Sequence, residues 1–90
     1  MAIRWAKSAR KHRISHARSG YVARTAETII RQSAPAGSAV EEDRIVFLGP
    51  DTNGVILEVM AVEIEQGLLI IHAMKMRPQY RPFLKRKRNA

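Results

Sequence analysis

A chain of 90 residues, 46% apolar and 27% charged, has the composition of one small globular domain and leaves no room for a second. The longest apolar stretches, at 55–62 and 68–74, fall far short of the roughly 20 residues that a membrane-spanning helix needs, which excludes a transmembrane helix. A net charge of +8 on so small a chain attracts polyanions. The charge is unevenly spread: residues 1–34 carry +7, 35–72 carry −6 and 73–90 carry +7. If the two basic segments meet in the fold they make one surface for phosphates; otherwise they are solvated faces that neutralise the acidic middle. The absence of cysteine removes disulfide scaffolds and cysteine-ligated zinc and suits a reducing cytosol. The first residues become charged at once with no apolar run behind them, so no secretory signal is expected.

In chain order, residues 3–6 read as a short strand and 7–12 as a short helical turn. Ser15 reads as an N-cap, since its hydroxyl can accept from the free N–H groups of the next turn. A helix over 16–32 is expected from Val22, Ala26 and Ile29 at helical spacing, with Ala17, Tyr21 and Ile30 widening the apolar side. The small residues of 33–39 read as a mobile surface loop. From Arg44 the pattern turns to strands: 44–48, then 55–64 after a turn whose Asn53-Gly54 pair suits positive φ, then 68–74 after Glu65-Gln66-Gly67. The middle strand is apolar on both faces and should be central. Strict alternation along the last strand places His72 on the face of Leu68 and Ile70, and Ala73 on the other. Pro78 and Pro82 limit the next segment to a short helical turn, and 85–90 reads as a frayed basic tail. The expected architecture is α+β: N-terminal helices packed on a small antiparallel sheet, one domain over 1–84, with the first strand as an added edge.

Three stretches carry a resemblance: Trp5 followed by Lys11-His12-Arg13-Ile14-Ser15-His16; Phe47-Leu48-Gly49-Pro50-Asp51 with Gly54-Val55-Ile56-Leu57-Glu58-Val59; and Ile71-His72-Ala73-Met74-Lys75-Met76-Arg77-Pro78-Gln79-Tyr80-Arg81. Together they resemble BrnT-like toxins of the wider RelE-like superfamily over nearly the whole chain. The resemblance implies a RelE/BrnT-like fold and a cytoplasmic toxin of a type II toxin–antitoxin pair. It also implies an endoribonuclease that blocks translation and is silenced by a small DNA-binding antitoxin. The implied assemblies are a homodimer or a toxin–antitoxin hetero-oligomer, with RNA, free or on the ribosome, as substrate and no membrane partner.

RNA cleavage without a metal uses the substrate 2′-hydroxyl as nucleophile, so the protein supplies a base, a proton donor for the leaving oxygen and cations for the charge on phosphorus. Arg77 offers a planar fork to a phosphate, and Arg44 and Arg81 can help. Tyr80 can stack on a base or donate a proton. His72, His12, His16 and Lys11 are the candidate acids and bases, and spacing alone selects none of them. The expected catalytic set is His72, Arg77 and Tyr80 with Lys11 and Arg44 as helpers; Lys75, Arg81, Arg10 and Trp5 are expected to contact RNA. No cofactor or metal is expected, because three scattered histidines without cysteine give no zinc spacing.

Each candidate has a plainer reading. His72 can be a half-buried histidine satisfied by a neighbour, and His16 a decoration of the first helical turn. Glu58, a carboxylate among apolar residues on a central strand, calls for a cationic partner, Arg44 or Arg77, and reads as structural. Met60, Met74 and Met76 read as core or as a partner-binding surface. The function class is therefore a ribonuclease toxin or a non-catalytic nucleic-acid-binding protein, an inactive toxin-like domain included; turnover separates them.

Overall fold

In the computed structural model, which describes residues 2–34, 36–37 and 42–84, one five-stranded mixed sheet carries a single α-helix. The strands are β1 (Ala2–Trp5), β2 (Thr28–Gln32), β3 (Arg44–Pro50), β4 (Ile56–Ile64) and β5 (Gly67–Lys75), in the spatial order β1-β5-β4-β3-β2. α1 spans His16–Thr25, and two 3-10 helices, Lys7–Arg10 and Pro78–Phe83, precede and follow the main body. Among the described residues no helix is long and apolar enough to cross a membrane. Residues 35, 38 and 39 of the expected loop at 33–39, and the basic tail at 85–90, lie outside the described residues.

The expected meander is present: β3 pairs antiparallel with β4, and β4 with β5. Its first turn closes around Asp51, whose backbone N–H donates to Val55 O at 2.9 Å and whose Oδ1 accepts from Asn53 N at 2.8 Å and Val55 N at 3.0 Å. Gly54 takes the positive φ of 80° that this turn requires. β4 is central, and Leu57, Val59 and Ala61 are fully buried.

Two expectations about the fold need correction. The helix stops at Thr25, and residues 28–32 form edge strand β2, paired with β3 from Thr28↔Leu48 to Gln32↔Arg44. Ala26 leaves the helix with ψ 131°; the β-branched run Thr28-Ile29-Ile30 then finds a ready partner edge in β3, and tertiary pairing overrides helical spacing. The sheet is mixed, not antiparallel, because β1 runs parallel to β5 in the register Ala2↔Gly67 to Trp5↔Ile70. A Cβ at Gly67 would overlap the Ala2 carbonyl oxygen, so only glycine lets β1 lie this close. The short helical turn expected after the first strand is present as the 3-10 helix Lys7–Arg10, ahead of the 10-residue α1.

The sheet has two unlike faces. α1 covers one, where Val22 and Ala23 meet Phe47, Leu57, Val59, Ala61 and Ile70. Ser15 caps α1 as expected, accepting from Arg18 N at 3.1 Å. Trp5 belongs to this layer: its Nε1 donates to Ser19 Oγ at 2.9 Å and its ring stacks on His16 at 4.3 Å between centroids. On the opposite face a smaller cluster of Val46, Leu48 and Tyr80 is extended by Ile30, Met60, Met76 and Leu84. The second 3-10 helix closes that face and brings the segment after β5 over β4.

Candidate active site

A register shift in β5 builds the site. Met60 pairs with His72 but Ala61 pairs with Ile70, so Ile71 is an extra residue that reverses the facing of everything after it. Ala73 therefore joins Leu68 and Ile70 in the helix-side core. His72 moves to the other face, beside Glu58, which corrects the placement expected from strict alternation.

Glu58 is the centre of the arrangement. Its side chain is fully buried and accepts from two directions. Oε1 accepts from the Arg77 backbone N–H at 2.8 Å and from Arg77 Nε at 3.0 Å. Oε2 accepts from Arg77 Nη2 at 2.7 Å and lies 3.1 Å from His72 Nε2. A buried carboxylate needs this many donors to stay ionised. Burial pushes its pKa up, but the Arg77 side-chain and backbone hydrogen bonds, the Arg77 charge and His72 together hold it below the usual carboxylate value. Of the two partners that the sequence offers Glu58, the structure uses Arg77.

An ionised carboxylate only accepts, so the Nε2 atom of His72 carries the hydrogen and Nδ1 keeps its lone pair in the neutral ring. Burial is the largest influence on His72 and lowers its pKa; Glu58 opposes it, while the nearby Arg77 and His12 add to it, and the net direction is down. The ring is thus a neutral, oriented imidazole with a side chain 23% exposed. Arg77 spends Nε and Nη2 on Glu58 and is 40% exposed, which leaves the rest of the guanidinium for an anion. Tyr80 lies under it, the guanidinium carbon 5.8 Å from the ring centroid. The Tyr80 ring is buried and its hydroxyl accepts from Gln32 Nε2 at 3.2 Å, so it supports Arg77 and offers no face for a base to stack on.

Of the expected site residues, His72 and Arg77 are brought together on Glu58, and Tyr80 lies against Arg77. Arg44 is half-buried at the start of β3 opposite Gln32, on the Tyr80 face. Arg81 is exposed in the second 3-10 helix. Lys75 shares a shallow hollow with His12, Arg13, Arg18 and Met74. Arg10 lines a separate open hollow with Arg13 and His16, and Lys11 is exposed in the turn after the first 3-10 helix. Trp5 is packed between β1 and α1, on the far side of the sheet from Tyr80. Sequence reasoning did not join Glu58 and Gln32 to the site: Glu58 was legible as a charge among apolar residues in a central strand, whereas Gln32 was hidden by its assignment to a helix. Among the described residues no three His, Asp or Glu side chains converge as metal ligands.

The pKa directions set the acid limit of stability. The folded state holds His72 and Glu58 with fewer protons than the unfolded chain does, so stability falls with pH, first below His72's ordinary 6.5 and again below Glu58's ordinary 4.5. Asp51, held low against burial by Arg18 and by two backbone N–H groups, adds a further loss below 3.8. Urea midpoints measured from pH 8 to pH 4 should decline from about pH 6.5 downward, and His72→Gln should flatten the first part of that decline. A flat profile between pH 7 and pH 5 in the wild type would contradict the buried, neutral state of His72.

No protein-family model, curated protein or solved structure matches this chain.

Proposed function

We propose that this chain is the toxin of a type II toxin–antitoxin pair, a RelE/BrnT-like protein that acts in the cytoplasm as a metal-independent endoribonuclease and blocks translation. The observation that carries the reading is one buried carboxylate holding both a cation and a neutral imidazole at a solvent-reached rim, Arg77 and His72 on Glu58. Arg77 binds the scissile phosphate and offsets the charge that grows on its oxygens. His72 Nδ1 takes the 2′-hydroxyl proton, with Glu58 fixing the tautomer and stabilising the imidazolium that forms, the role a carboxylate plays beside a histidine base in hydrolases. The excess positive charge of the chain recruits RNA in free or ribosome-bound form. The partner is a small DNA-binding antitoxin.

The same geometry also fits a second reading, a non-catalytic nucleic-acid-binding domain, because Arg77 and His72 both serve a carboxylate whose burial demands partners. Incubation of the purified chain with single-stranded RNA in EDTA, with end-group analysis, decides between them. Cleavage is expected, leaving 2′,3′-cyclic phosphate and 5′-hydroxyl ends. RNA binding without any cut, with and without ribosomes, would establish the binding reading instead.

A further inference from the structure

We propose that His12 is the second proton-transfer group of this site, the acid that protonates the departing 5′-oxygen; this rests on the ribonuclease reading above. His12 and His72 come from opposite ends of the chain and meet edge to face, with centroids 5.4 Å apart and planes at 73°. They differ in the way an acid–base pair must. His72 is half-buried and bonded to Glu58, whereas His12 is exposed at the mouth of the site.

The turn that carries His12 is fixed to β5. β1 pairs with β5 only as far as Ile70, after which Ala6 N donates to Ile70 O at 2.8 Å and Ser8 Oγ to Ile71 O at 2.7 Å. These bonds pin the first 3-10 helix beside the extra residue that turns His72 to its face. The chain then reverses at Arg13, which adopts φ 59°, a left-handed conformation that non-glycine residues rarely take. The reversal buries Ile14 while leaving His12 at the β5 edge. Arg13 and Lys75 line the hollow next to His12 and supply cations on the side where the nucleotide following the cut would lie; Arg18, which also lines it, is paired with Asp51 at 2.7 Å.

The step balances without a co-reactant. The 2′-oxygen forms a bond to phosphorus and gives its proton to His72 Nδ1; the bond from phosphorus to O5′ breaks, and O5′ takes a proton from the His12 imidazolium. The products are a 2′,3′-cyclic phosphate and a 5′-hydroxyl, and solvent resets the two rings.

An RNA with a single 5′-bridging phosphorothiolate tests the assignment, because a thiolate leaves without needing a proton. On the ordinary linkage His12→Ala should cut at least ~100-fold more slowly than wild type, and on the phosphorothiolate it should recover to within about tenfold, as expected when only a general acid has been removed. His72→Ala should stay slow on both. Because His12 is exposed, His12→Ala should keep the wild-type urea midpoint, and His12→Gln should behave in the same way. An equal loss of His12→Ala on both linkages, or no loss on either, overturns the acid role while leaving the ribonuclease reading intact. A wild-type chain that cuts neither linkage overturns the ribonuclease reading and the acid role with it.

Discussion

Arg77→Ala should lower the unfolding free energy by about 3 kcal/mol, the lower end of what breaking a buried ion pair costs. The loss comes from what remains behind. Glu58 has a fully buried side chain, and in the variant it keeps His72 and the backbone N–H of residue 77 as hydrogen-bond partners but loses the cation and its fork of three side-chain contacts. The figure sits at the low end because Arg77 itself is 40% exposed, so truncating it admits water to the carboxylate. Against a total stability of about 5–15 kcal/mol for a domain, this is a large fraction. Glu58→Met combined with Arg77→Met should be more stable than Arg77→Ala, since no charge is then left buried and the methionines fill space beside Met60 and Met76. Urea denaturation of the three proteins reads both effects. An Arg77→Ala midpoint equal to that of wild type would mean that Glu58 is solvated or protonated, and the electrostatic account of the site would fall.

The expected and observed structures differ where tertiary contact competes with local pattern. The Ser15 cap, the Asn53-Gly54 turn and the β3–β4–β5 meander are set by interactions within a few residues, and all are legible in the sequence. The end of α1 is not, because no glycine or proline marks it; Ile29 and Ile30 fit a helical stripe as well as they fit an edge strand, and only the exposed edge of β3 decides. The bulge at Ile71 is equally silent. Leu68-Leu69-Ile70-Ile71 is apolar at every position, so alternation carries no phase through it, and a one-residue slip reverses the face of His72. For the site, residue type was legible where placement was not. Arg77 and His72 were legible as chemistry-bearing groups and Glu58 as a charge in need of a cation, yet their convergence depends on that slip. Trp5 shows the reverse: an aromatic beside basic residues suits RNA stacking, but β1 lies under α1, and its indole N–H is spent on Ser19.

On the proposed ribonuclease reading, His72→Ala should reduce RNA cleavage by ~10²–10⁴-fold while changing RNA affinity little, because a general base acts in the transition state and adds almost nothing to ground-state binding. Arg77→Lys makes the complementary case. A lysine keeps the charge near Glu58 but cannot span both carboxylate oxygens and a phosphate with one planar fork, so cleavage should fall by ~10²-fold or more while stability falls less than in Arg77→Ala. On the same reading, binding belongs to the dispersed cations instead. Removing Lys75 or Arg81 should weaken affinity gradually and lower the slope of log affinity against log salt by about 0.7 for each lost phosphate contact on a single strand. Fluorescence anisotropy across a salt series, run beside single-turnover cleavage of the same labelled RNA, separates the two. If His72→Ala cuts as fast as wild type, His72 is a structural partner of Glu58 and the base must be sought elsewhere. If His72→Ala and the Lys75 and Arg81 variants lose cleavage only in proportion to affinity, the ribonuclease machinery is not centred on Glu58 at all.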